Sequence, residues 1–163
     1  MICSRLSSVR RAQRIPQHRF QGGVGLIEVM IAVLVLSIGF LGVGALLAMS
    51  LSTNNSAMSR SLATVDSYTI LDAMRADIAN AQAGSYNGTV VANNCPSAGT
   101  TLASWQLNTW CTQLGHDLGA DANTSGTVTC SKLGDCKITI QFDDSRAGVG
   151  GTDKQQVITR AIL

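Results

Sequence analysis

The stretch from Gly22 to Leu51, GGVGLIEVMIAVLVLSIGFLGVGALLAMSL, constrains this chain more than any other. No charged residue interrupts it from Val29 to Leu51, and a helix of that length, at about 1.5 Å per residue, crosses a hydrocarbon core of roughly 30 Å. It reads as a membrane span. Glu28 is a lone carboxylate at its entrance, preceded by a glycine pair and by a leader that carries Arg5, Arg10, Arg11, Arg14 and Arg19 and no acidic residue.

An ordinary secretory signal places its apolar core ahead of the cut and the small-residue cleavage site behind it. Here that order is inverted. Cutting at Gly23 removes the arginines and leaves the hydrophobic helix on the mature protein. Gly23-Val24-Gly25-Leu26-Ile27-Glu28-Val29 resembles the cleavage and methylation motif of type IV prepilins. The resemblance implies that a prepilin peptidase cuts between Gly23 and Val24, that the new Val24 amine is N-methylated, and that Glu28 is the fifth mature residue. The family's usual first residue is phenylalanine, so Val24 is a departure.

A carboxylate near a bilayer costs several kcal/mol unless it stays at the interface, is paired or is neutralised. The Val24 amine of a neighbouring subunit is a natural partner for Glu28: in a low-dielectric bundle of helices the pairing sets axial register. The alternative is an interfacial Glu28 that snorkels without a partner.

Charge supports the division. The chain of 163 residues has a formal net charge of +2, but removal of the five leader arginines leaves seven basic against ten acidic residues, a balance of −3. The basicity is therefore a targeting signal and does not argue for nucleic-acid binding. The positive flank places residues 1 to 23 in the cytoplasm and everything after Leu51 on the far side, a bacterial periplasm. Cys3 leaves with the leader; Cys95, Cys111, Cys130 and Cys136 remain, an even number for an oxidising compartment. Of three possible pairings, Cys95 with Cys111 and Cys130 with Cys136 are favoured, the second because both border the short turn 131–135. A four-cysteine metal site lacks paired C-x-x-C spacing.

Three segments are expected: leader 1–23, membrane or filament-core helix 24–51, and head 52–163. Gly39, Gly42 and Gly44 soften the second half of the span or mark close helix packing. Beyond Leu51 neither glycine nor proline intervenes before Ala83, and Met58, Leu62, Val65, Tyr68, Leu71, Met74 and Ile78 recur at steps of three and four. One continuous helix from about residue 26 to 83 is expected, that stripe packing against a sheet, with Asp72 and Arg75 paired on its polar side. A loop follows Gly84. Residues 102–114 read as a short helix stapled through Cys111, with Trp105 and Trp110 packed under the sheet; the alternative is that the tryptophans form an exposed binding surface. Residues 127–129 and 137–142 read as a hairpin, and 154–162 as a last strand.

No catalytic constellation is legible. His18 is in the leader, His116 stands alone, and adjacent Asp143 and Asp144 point apart on an extended chain and read as turn solvation. Asp121, Asn123 and Ser125 mimic half of a calcium loop, but Lys132 occupies the closing glutamate's position. The glycine cluster at 148–151 opens no helix and is no phosphate loop. Neither metal nor other cofactor is implied, and the chain is not expected to be an enzyme.

Leader, cut site, Glu28 and a short disulfide-bearing α+β head together resemble a minor pilin. GLIEVMIAVLVLSIGFLGVGAL, the tryptophan-bearing helix and the strand ending in FDDSR are similar to PilV-type pilus modification proteins. That resemblance implies an inner-membrane protein whose partners are the prepilin peptidase, other minor pilins, the major pilin, the assembly platform and membrane lipid, and whose complex primes or caps a pilus serving adhesion and twitching motility. A type II secretion pseudopilin shares the N-terminal device; a membrane-anchored periplasmic binding module is a further alternative.

Overall fold

A computed structural model describes residues 23–148 and 150–163; the leader 1–22, with Cys3 and His18, lies outside the described residues. In chain order the elements are α1 (Leu26–Ala76), α2 (Ile78–Gln82), β1 (Gly88–Val91), α3 (Leu102–Leu118), β2 (Ser125–Cys130), β3 (Asp135–Phe142), a 3-10 turn (Ser145–Ala147) and β4 (Gln155–Ile162). The chain divides into one unit ending at Leu41 and a compact head, Gly42–Leu163. The division falls ahead of Leu51 because α1 already meets the head there: Ala48, Met49 and Ser52 line one concavity with Ala147 and Gly148, and the Ser52 hydroxyl donates to the Arg146 carbonyl.

In the head, the sheet is antiparallel throughout, in the order β1-β2-β3-β4. On β3 the side chains alternate as the pleat demands: Cys136, Ile138, Ile140 and Phe142 are buried, whereas Asp135 and Lys137 face solvent. Ala63, Ile70, Leu71 and Met74 of α1 and Trp110 and Leu114 of α3 meet this face in one core. The fold is α+β and pilin-like, a long apolar helix whose later half packs on a small four-stranded sheet.

The buried face of α1 differs from the expected stripe. Leu71 and Met74 are covered, but Met58, Val65 and Tyr68 are 62%, 55% and 52% exposed, and Ile78 is also exposed. The covered line runs instead through Ala63, Asp66, Ser67 and Ile70. A reading weighted toward large side chains missed it because small residues, Ala63 and Ser67, fill the closely covered positions. The helix also stops earlier than expected. Asp77 leaves the helical conformation at φ −136° and ψ 51°, and its carboxylate accepts from Asn80 Nδ2 at 2.8 and 3.0 Å and lies 3.1 Å from the buried Tyr86 hydroxyl. A short polar side chain that finds local partners competes with the helical ladder.

Helix α3 begins at a capping box: Ser104 N–H donates to Thr101 Oγ1, and Thr101 N–H to Ser104 Oγ, both at 3.2 Å. It runs past the expected end at Leu114 to Leu118, through Gly115, whose missing side chain lets Ala92 approach closely. The tryptophans part company. Trp110 is buried and its Nε1 donates to the Asp66 carbonyl at 3.0 Å, whereas Trp105 is 55% exposed.

The Trp110 ring packs closely against Gly126 on β2, where an added Cβ would overlap the indole and Leu114. Gly126→Ala is therefore expected to destabilise the head by about 1–3 kcal/mol, the usual cost of overpacking, measured as a lowered urea midpoint with an unchanged slope.

Candidate processing site and assembly helix

Gly23, Val24 and Gly25 have no helical structure, and α1 opens at Leu26 with Glu28 in its first turn. Gly25 makes the transition: its carbonyl accepts from Glu28 N–H at 2.9 Å and Val29 N–H at 3.3 Å. The bond between Gly23 and Val24 thus lies in accessible, non-helical backbone, the form a peptidase must grip. A side chain at Gly23 would meet nothing within 4 Å. Glu28 is exposed at the helix N-terminus, where the aligned peptide dipoles favour negative charge. Every residue from 23 to 51 is exposed, and α1 is long and apolar enough to span a bilayer.

The head's cysteines join as Cys95–Cys111, with S–S 2.04 Å, and Cys130–Cys136, with S–S 2.03 Å. The first ties the loop after β1 to α3. The second links residues directly opposite each other across the β2–β3 ladder.

Asp143 and Asp144 separate, as their adjacency requires, but only one acts as turn solvation. Asp143 Oδ1 accepts from Ser145 N–H at 2.8 Å, and the Ser145 backbone and side-chain hydrogen bonds hold its carboxyl below the usual range. Asp144 is buried: its Oδ2 accepts from the Ser56 hydroxyl at 2.6 Å and lies 3.5 Å from Arg60 Nη2. It latches the turn before β4 to α1, which corrects the expectation of a solvated pair. Sequence offered a signal only in hindsight, since Ser56 and Arg60 stand four apart and so share one helix face.

Asp66 was not singled out by sequence at all. It is fully buried, and neither carboxylate oxygen has a hydrogen-bond partner among the described residues. Burial, with a further contribution from the charge of Asp117, raises its pKa from 3.8 to about 6. Tyr86, also buried and beside Asp77, is pushed up to about 12 and stays a protonated donor. Elsewhere Asp121 Oδ1 accepts from Asn123 N–H at 2.9 Å, a local turn, and His116 Nδ1 lies 2.6 Å from Asp117. Among the described residues no three His, Cys, Asp or Glu side chains gather as metal ligands would.

Residues 18–44 match the family model of the prokaryotic N-terminal methylation motif. The match covers Gly23, Val24 and Glu28, and implies processing by a prepilin peptidase. No curated protein matches the chain, and no solved structure does. Motif, apolar helix and α+β head together support a type IV pilin-like protein, a class that includes pilins and pseudopilins.

Two outcomes follow from this geometry. Because space is open at Gly23, Gly23→Leu is expected to leave the head folded and to block cutting, seen as an uncut band on a gel from cells with the peptidase. The second concerns pH. With its folded pKa above the unfolded value, Asp66 holds its proton in the native state between about pH 4 and 6, so stability falls as pH rises through that window. Asp66→Asn is expected to be more stable than wild type at pH 7.5, by up to about 3 kcal/mol, and to lose most of the gain wild type shows on acidification to pH 5, both read from denaturant curves.

Proposed function

We propose that this chain is a minor pilin of the PilV type. A prepilin peptidase removes residues 1–23, and the mature chain 24–163 sits in the bacterial inner membrane with its head in the periplasm. It then joins other minor pilins, on the assembly platform, in a complex that primes or caps a pilus of major pilin. Such a pilus would serve adhesion and twitching motility. The observation that carries the reading is the matched motif at residues 18–44, placed so that cutting spares an apolar helix nothing covers.

On this reading the protein works by assembly and not by catalysis. The span is held in lipid as a monomer and withdrawn into a bundle of sister helices when the fibre grows. Inside the bundle, the methylated amine of Val24 on one subunit meets Glu28 of its neighbour. Leu51, Met58, Val65 and Tyr68, exposed apolar side chains of α1 in the head, extend the surface available to neighbouring subunits. A pseudopilin of a type II secretion system would use the same device, since the matched motif does not separate the two; neighbouring genes for pilus or secretion components discriminate them.

Mass spectrometry of the membrane-extracted protein is expected to give a chain that begins at Val24, carries one methyl group and has four oxidised thiols. A chain that begins at Met1 would overturn the reading. Glu28→Ala is expected to insert in the membrane normally but to enter filaments on the order of tenfold less, the loss of one desolvated charge pair. Equal incorporation of mutant and wild type, by immunoblot of sheared pili, would refute the pairing.

A further inference from the structure

Between α1 and α3 the head carries a cavity of about 200 Å³. Steps of four along α3 bring Trp105, Thr109 and Gln113 to it, Gln106 and Trp110 line it from the same helix, and Thr69 faces them from α1. Trp110 is buried, and Trp105 offers an indole that the head leaves 55% exposed. None of the lining side chains is charged, so nothing there neutralises an ionic ligand.

Internal hydrogen bonds determine what the cavity can still offer. Thr69 Oγ1 donates its proton to the Val65 carbonyl at 3.1 Å, and Thr109 Oγ1 donates to the Trp105 carbonyl at 3.0 Å. Gln113 Nε2 donates to Asp117 Oδ2 at 3.2 Å, and Gln106 Oε1 accepts from the Tyr86 hydroxyl, which leaves its Nε2 free among the described residues. What remains around the aromatic face is a mixture: acceptor oxygens on Thr69, Thr109 and Gln113, and amide N–H donors on Gln106 and Gln113. The complement is a neutral molecule with several hydroxyls, each able to donate and to accept, and one flat face of C–H groups. A wholly apolar occupant would leave those oxygens dry and unpaired, which costs free energy. The volume falls below the roughly 300–1,000 Å³ of sites for drug-sized ligands, enough for a single ring.

We infer that this cavity is a binding site for a neutral saccharide, one pyranose ring seated against Trp105 with its hydroxyls donating to Thr69, Thr109 and Gln113. The site goes beyond the pilin assignment and does not depend on it. Saccharide binding is read on the isolated protein, whereas the assembly role is read on filament incorporation.

The test uses the mature chain in phospholipid nanodiscs, with no glycosidic detergent at any step because its sugar headgroup would compete. Saturation-transfer NMR is run with methyl glucopyranoside, methyl galactopyranoside and methyl N-acetylglucosaminide, with glucosamine and glucuronate as charged controls. The expected result is transfer to the ring C–H protons of at least one neutral glycoside and weaker transfer to both charged sugars. Trp105→Ala is expected to bind about tenfold more weakly and Trp105→Phe to keep most of the affinity, since an aromatic face is retained. Trp110 fluorescence reports that the variants stay folded. Absence of transfer to every neutral ring, or wild-type binding by Trp105→Ala, would overturn the proposal. So would a Trp105→Ala variant that loses co-assembly with other pilins while the wild type shows no saccharide signal, which would make the groove a subunit contact.

Discussion

A helix whose apolar side chains nothing covers is the constraint on which the rest depends. From Leu26 to Leu51 every side chain is exposed, and at roughly 25 cal/mol per Å² of apolar surface such a helix cannot rest in water. Its backbone is satisfied within the helix, so lipid can hold it. A bundle of similar helices can hold it equally well, because hydrocarbon tails and leucine side chains solvate it alike. On the proposed assembly role, that near-equivalence is what would let the helix pass from membrane to fibre and give the lone carboxylate, Glu28, weight in aligning helices.

The head solves a different problem, how a small domain builds a core around one face of that same helix. Trp110 is its wedge. The indole fills the space beneath β2 that Gly126 leaves open, and its N–H reaches the Asp66 carbonyl of α1, so one side chain joins three elements. Two disulfides close the loop around Cys95 and the turn after Cys130. Asp144 then holds the final turn to Ser56 and Arg60. Asp66 works against this economy, a buried carboxylate without a hydrogen-bond partner among the described residues.

Much of this was legible in the chain itself. The uncharged run after Glu28, the arginines ahead of Gly23 and the inverted order of charge and apolar core mark the apolar span and the methylation motif without reference to a fold, because each depends only on local composition. The hairpin and last strand were equally plain, since alternation along Lys137–Phe142 reports burial on one face directly. The break at Asp77 was not, because it depends on Tyr86, which returns from the following loop to meet it.

Tertiary structure alone decided which face of α1 is covered, which tryptophan is core and which carboxylates are buried. A period of 3.6 identifies an amphipathic helix but leaves the angle of its covered face to what packs there; here the small residues Ala63 and Ser67 admit the core, and Met58 and Tyr68 stay outside. Trp105 and Trp110 are indistinguishable by composition, and only the position of Gly126 on a neighbouring strand selects the second. Asp144 and Asp66 find their surroundings in segments distant along the chain. The sequence by itself determined the apolar span and the methylation motif ahead of it; long-range packing determined which side chains the head presents, because burial is set by neighbours that no local pattern encodes.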